Sequence, residues 1–213
     1  MVKAFGVLPG DELVPRYNIA PTQTVPVVCQ NGDGTRHLRQ YRWGLIPHWA
    51  KDPSIGSRMI NARCETVAEK PAFRGAIRYR RCLIPASGFF EWKQSDHKKV
   101  PFYIRRQDRA PMAFAGIWET WKGQEETIVS CSILTTGANS LVSTLHDRMP
   151  VILSSAEYAT WLDREVDDPG ALAPLYRAFP SDLLEAYEVS TVVNKFQNDS
   201  EECIKAVGSG ILS

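Results

Sequence analysis

Three short stretches of the chain hold side chains suited to chemistry. In "INARCET" (60–66), strand alternation places Asn61, Arg63 and Glu65 on one face and Ala62 and Cys64 on the other. An amide, a guanidinium and a carboxylate side by side make a contact for an anion or a sugar. The same spacing also fits a solvated outer face with a surface ion pair. In "SGFFEWK" (87–93), alternation gives Phe90 and Trp92 one face and Phe89, Glu91 and Lys93 the other. A carboxyl set among aromatics is a candidate general acid or base, because desolvation raises its pKa towards the working range, although an exposed Glu on a half-buried strand reads the same way. In "TLHDRMPVIL" (144–153), His146 sits where a helical stretch enters a strand, with Asp147 and Arg148 beside it. Loops at such junctions hold catalytic groups on a rigid scaffold, and a structural His bonded to backbone is the alternative.

A second kind of pattern interleaves arginine with aromatic residues. In "YRWGLIPHWAKDP" Arg42 and Trp43 precede His48 and Trp49, and in "RGAIRYRR" Arg74, Arg78, Arg80 and Arg81 surround Tyr79. Phosphate neutralisation plus base stacking is how single-stranded nucleic acid is held without much sequence readout. A basic, aromatic surface without a ligand fits the same composition. No Walker-type phosphate loop, GxSxG or HExxH occurs.

Positioning these groups takes a sheet. "TVPVVCQ" and "RHLRQYRWGL" flank "NGDGT", whose Asn-Gly and Asp-Gly pairs supply the left-handed positions of a hairpin turn. "SRMINARCET", "RCLIPASGFFEWK", "VPFYIRR", "APMAFAGIW" and "TIVSCSILTT" read as further strands. Helices are predicted in "ETVAEKPAFRGAI", "ANSLVSTLH" and "SSAEYATWLDRE", where Ser154 and Glu157 have capping-box spacing. The last quarter mixes helix with a closing strand. The expectation is an α+β single domain around a curved, barrel-like, mostly antiparallel sheet with peripheral helices.

Composition narrows the possibilities. The 213 residues, 44% apolar and 23% charged, fit one domain with a sizeable core. No apolar run reaches the length of a membrane span and no signal-peptide pattern opens the chain, so a cytoplasmic protein is expected. The five cysteines are scattered and without CxxC spacing, which predicts free thiols and no metal. Residues 1–110 hold 19 Lys and Arg against 9 Asp and Glu, and residues 111–213 hold 6 against 15. A basic first half forming one face suits phosphate, while the two halves packing together would neutralise it.

In chain order, "RYNIAPTQ" (16–23), "RWGLIPHWA" (42–50), "INARCET", "RCLIPASGFFEWK" (81–93), "PFYI" (101–104), "ILTTGAN" (133–139), "LHDRMPVIL" (145–153) and "VSTVVN" (189–194) closely resemble the SRAP family. Its members are SOS-response-associated peptidases, better described as abasic-site processing proteins. The resemblance implies a monomer, without cofactor, acting on single-stranded DNA that carries an abasic site. In the family, an N-terminal Met-Cys-Gly-Arg loses its methionine; the cysteine's α-amine then forms a Schiff base with the sugar aldehyde and its thiol closes a thiazolidine.

Carried over residue by residue, the resemblance implies that Asn61 holds the amine or sugar and that Arg63 and Arg148 bind phosphates. Glu91 becomes the acid–base carboxylate, and His146 the imidazole that assists ring opening and strand cleavage. Thr135 and Asn194 line the pocket, Trp49 and Pro21 stack against or wedge the bent DNA, and Arg74 adds a basic contact. No Met-Cys-Gly-Arg occurs here, and the first cysteine is Cys29. Residues 1–213 are therefore read as an SRAP domain lacking its N-terminal strand and that motif, with "MVKAFG" as the last turn of a helix. The expectation is a chain that binds DNA without a stable crosslink. The alternatives from other classes are a DNA-binding module without chemistry and a Cys–His hydrolase using Cys64 with His146.

Overall fold

A computed structural model describes residues 2–7, 13–95 and 98–212. The expectation about Met1 lies outside the described residues. Val2–Phe5 forms one 3-10 turn, and Phe5 is buried with its ring stacked on Tyr158 at 5.6 Å.

The predicted hairpin is present as β1 (Thr24–Gln30) and β2 (Arg36–Trp43), antiparallel with Gln30 opposite Arg36. Beyond them come β3 (Asn61–Arg63), β4 (Arg81–Ala86), β5 (Phe89–Ser95), β6 (Lys98–Arg106), β7 (Met112–Lys122) and β8 (Thr127–Gly137). The short β9 (Arg148–Pro150) and β10 (Ile152–Leu153), then β11 (Leu184–Val189) and β12 (Ala206–Leu212), complete the set. Strands β7, β4, β1, β2 and β8 pair in that order and β8 pairs back on β7, which closes a ring. A second, antiparallel sheet runs β12-β11-β6-β5. The α+β, barrel-like expectation holds, with two parallel pairings, β2 with β8 and β3 with β8, inside a mostly antiparallel arrangement.

Alternation along the ring strands feeds two cores. Val25, Val27, Cys82, Ile84, Cys131 and Ile133 pack with Ile104, Leu184 and Ala186 of the second sheet. Val28, Leu83, Ala115 and Leu134 pack with Tyr158, Trp161 and Leu162. Strands buried on both faces explain why "VPVVC" and "CLI" read as near-continuous apolar runs. All five cysteines are buried and free.

Several predicted boundaries move. The strand over "SRMINARCET" shrinks to β3, because Pro53–Arg58 is a 3-10 segment capped by Asp52, whose carboxylate accepts from Ser54 N–H at 2.8 Å. "RCLIPASGFFEWK" is two strands in two sheets. Its break is at Gly88, where a Cβ would lie 2.6 Å from the Ile104 carbonyl. That break carries Glu91 into the second sheet. The helix over "ETVAEKPAFRGAI" is confined to α1 (Arg74–Tyr79), because the stretch containing Pro71 runs through turns. "ANSLVSTLH" yields a single 3-10 turn, Val142–Thr144.

The capping box at Ser154 forms as predicted, ahead of a 3-10 turn (Ser155–Glu157) and α2 (Tyr158–Leu162). Ser154 N–H and Oγ both reach the Glu157 carboxylate at 2.7 Å. Replacing Glu157 by Ala leaves that N–H unpartnered and is expected to cost about 1 kcal/mol in a denaturant titration. Arg81, predicted among the basic surface residues, is buried instead. Its guanidinium donates to the Ile77 and Arg78 carbonyls of α1, to the Trp161 carbonyl of α2 and to the carbonyl of Asp163, which caps α2, satisfying acceptors at the ends of both short helices.

Candidate functional site

Strand β8 is the spine of the site. Along one edge it pairs with β3, Asn61 opposite Ile133 and Arg63 opposite Thr135; along the other it pairs with β9, Thr135 opposite Pro150. Thr135 is thus buried between the two short strands, and its carbonyl accepts from Cys64 N–H at 3.0 Å. Asn61 and Arg63 point outward and are exposed, while Ala62 between them is buried, as strand alternation requires. Among the described residues Arg63 makes no ion pair.

Arg148 behaves otherwise than expected. Its two terminal nitrogens grip the Glu65 carboxylate at 2.7 and 2.8 Å, and one also donates to the Thr135 carbonyl at 2.6 Å. A guanidinium engaged in this fork is not a free phosphate ligand; it ties β9 to the turn after β3. The Arg148 guanidinium beside Glu65 holds that carboxyl down at about 2. In the sequence Glu65 is legible only as part of a polar face, because its partner is 83 residues away.

Glu91 lies on β5, in the second sheet. Burial pushes its carboxyl up to about 6; His146 and the Trp92 N–H pull it down, and Asp147 pushes it up. His146 Nδ1 lies 3.0 Å from the Arg148 backbone nitrogen, 3.3 Å from the Arg148 carbonyl and 3.2 Å from Asp147 Oδ1, so both the backbone and a carboxylate orient the ring. The sequence pattern puts Asp147 beside His146 without assigning it to the site.

Pro21 and Trp49 occupy exposed turns. Gln23 N–H bonds the Ala20 carbonyl at 3.2 Å, which makes Pro21 the first corner residue of a turn whose second, Thr22, has φ of 73°. A β-branched residue in the left-handed region is strained, and such strain persists only where the surroundings over-determine it. Here they do: Thr22 N–H reaches the Trp43 carbonyl at 2.7 Å, and the Trp43 indole N–H reaches the Ile60 carbonyl at 2.9 Å, directly before Asn61. Gly44 follows with φ of 129° and its Cβ position only 2.6 Å from the Gly56 carbonyl, so no other residue fits. Trp49 is 51% exposed.

The remaining expected residues are less connected. Arg74 is exposed at the start of α1, where no described contact joins it to β3. Asn194 accepts from the Trp92 indole at 2.8 Å. Trp92 lies with Phe90 on the face of β5 opposite Glu91, so Asn194 is not brought to the Glu91 side. Cys64 is buried and desolvation raises its thiol pKa, the opposite of what a nucleophilic cysteine needs.

Residues 2–196 match the family model described as SOS response associated peptidase (SRAP). The chain is 44% identical over 201 residues to the abasic site processing protein YoqW of Bacillus subtilis, covering 93% of this chain and 89% of that protein. It is 31% identical to the abasic site processing protein YedK of Escherichia coli, covering 92% and 86%. It is 30% identical to the abasic site processing protein HMCES of Xenopus tropicalis, covering 92% and 68%. A crystal structure of a Bacteroides thetaiotaomicron protein superposes with a TM-score of 0.79 at 30% identity, covering 87% of this chain and 82% of that one. A Bordetella bronchiseptica protein superposes with 0.78 at 28% identity, covering 89% and 94%. A match across nearly the whole chain, joined to the fold, makes this protein a member of the SRAP family, among relatives named as abasic site processing proteins.

Proposed function

We propose that the protein binds single-stranded DNA at an abasic site and acts on the ring-opened sugar through Asn61, Glu91 and His146. The observation that carries this is Glu91: a half-buried carboxyl that desolvation pushes up to about 6, with His146 among the charges it feels, in a fold that also presents the outward-pointing Asn61 and Arg63. A pure phosphate-binding surface needs no carboxyl there, since a carboxylate repels the backbone.

The proposed chemistry is aldehyde capture. An α-amine adds to the sugar aldehyde, and the protonated Glu91 gives its proton to the carbinolamine hydroxyl, which leaves as water. A thiol on the same residue then adds to the iminium carbon; its proton passes back to the Glu91 carboxylate and a neutral thiazolidine closes. His146, steadied by Asp147, takes and returns the sugar proton during ring opening and assists strand cleavage. The five cysteines present are all buried, so none supplies the thiol. The family's Met-Cys-Gly-Arg would supply amine and thiol together, and self-processing peptidase activity would expose that amine.

The test incubates a labelled single-stranded oligonucleotide carrying an abasic site with two proteins, the 213-residue chain and the same chain preceded by a segment starting Met-Cys-Gly-Arg. Both are expected to bind, and the second to give a denaturation-resistant complex that Glu91→Gln slows. Failure of both to bind single-stranded DNA overturns the reading. Binding should also depend on salt. Contact with three phosphates gives a slope of about −2 in log K against log salt, and Arg63→Ala should lower its magnitude by about 0.7. Arg148→Ala should leave the slope unchanged, because that guanidinium is already held by Glu65.

A further inference from the structure

Glu119, on β7, is 6% exposed and carries a carboxylate that no step above uses. One of its oxygens, Oε2, accepts from the Arg80 guanidinium at 2.6 Å and lies 3.2 Å from His48 Nδ1. The other accepts from Thr120 N–H at 3.0 Å. A carboxylate this deep costs several kcal/mol to desolvate and is retained when its partners are fully matched, as they are here. What it holds is the turn at 47–50. That turn closes with Ala50 N–H on the Pro47 carbonyl at 2.9 Å and is pinned at its far end by the Trp121 indole on the Ala50 carbonyl at 2.7 Å. Between those pins the His48 ring turns its Nδ1 to Glu119, and Trp49 stands out, half exposed.

We propose that Glu119 is a positioning residue of the DNA surface: through His48 it sets the orientation of Trp49, whose exposed ring stacks on an unpaired base. The inference rests on the single-stranded DNA reading above. Its physical basis is that the turn is tied at both ends and the His48–Glu119 contact adds a third tie on the residue next to Trp49. A stacking residue carried on a tied backbone loses less freedom on binding, which is where pre-organisation gains affinity.

The experiment measures affinity for a single-stranded oligonucleotide carrying a stable tetrahydrofuran abasic analogue, by fluorescence anisotropy at several salt concentrations. Base–aromatic stacking of about 1–3 kcal/mol sets the scale, so Trp49→Ala and His48→Ala are each expected to weaken binding roughly tenfold with an unchanged salt slope. His48→Gln, whose amide can still donate to Glu119, should restore most of it. In the Trp49→Ala background, His48→Ala should cost nothing further. Glu119→Ala should behave as His48→Ala does, and the exposed His48 variants keep the test decisive if it folds poorly. An equal loss from His48→Ala with and without Trp49, or no loss at all, overturns the proposal. If Arg63→Ala weakens binding while Trp49→Ala does not, the positioning role falls and the DNA reading stands; if the unaltered chain does not bind, both fall.

Discussion

In the protein preceded by Met-Cys-Gly-Arg, replacing Glu91 by Gln is expected to slow capture of the abasic-site aldehyde by roughly 100- to 10,000-fold, the usual contribution of a placed general acid. Affinity for the tetrahydrofuran analogue should stay within about threefold, because the amide keeps the shape and removes a charge that repels phosphate. The same substitution should make the protein more stable at pH 8. With its ordinary value of 4.5 raised to about 6 in the fold, the Glu91 carboxyl holds its proton more tightly folded than unfolded. Its contribution therefore favours folding fully below about pH 4.5 and is lost as pH rises through about 6. At 1.36 kcal/mol per unit, ionised Glu91 costs on the order of 2 kcal/mol at pH 8, and Gln removes that cost. Thermal unfolding of the two proteins at pH 5 and pH 8 reads this directly. A gain confined to high pH, joined to a loss of rate, is the mark of a residue kept for chemistry at the expense of stability. Equal melting temperatures at both pH values, with an unaltered rate, would remove Glu91 from the site.

The second large effect is expected at Trp161. Its side chain is fully buried in the core that joins the ring strands to α2, and its indole N–H donates to the Cys82 carbonyl at 2.8 Å. The Arg81 guanidinium lies 5.9 Å from the ring centroid and also donates to the Trp161 carbonyl. Trp161→Ala opens a cavity, orphans a strand carbonyl and loosens the cation that caps both helices. Core truncations of this size cost about 3–5 kcal/mol, a large share of the roughly 5–15 kcal/mol that stabilises a domain. A loss of less than about 1 kcal/mol in a urea titration would mean that α2 docks independently of this ring. Trp161→Phe should fall between the two, keeping packing and losing the indole bond.

Much of the site is legible in the amino-acid sequence itself. Strand alternation alone predicts that Asn61 and Arg63 share an exposed face with Ala62 turned in, since side-chain direction along a strand is a local property of the backbone. The Asn-Gly and Asp-Gly pairs specify the β1–β2 hairpin, and the spacing of Ser154 and Glu157 specifies the capping box, again because each is settled within a few residues. The order of the motifs along the chain is sufficient to point to the family.

What only the tertiary structure decides is who meets whom across long sequence separations. Gly88 divides one apolar run into two strands because Tyr103 and Ile104 of β6 leave no room for a Cβ, and nothing in the run itself announces that neighbour. Glu91 acquires its proton affinity only when β5 packs into the fold and the carboxyl loses water, an effect that the nearby His146 opposes and Asp147 adds to. Arg148, expected to be free for phosphate, is taken by Glu65 because β8 holds β3 and β9 on its two edges, and Arg81 turns inward because two short helices end beside it. Local pattern sets which way a side chain points. Sheet pairing and burial set what it points at, and with that its charge and its chemistry.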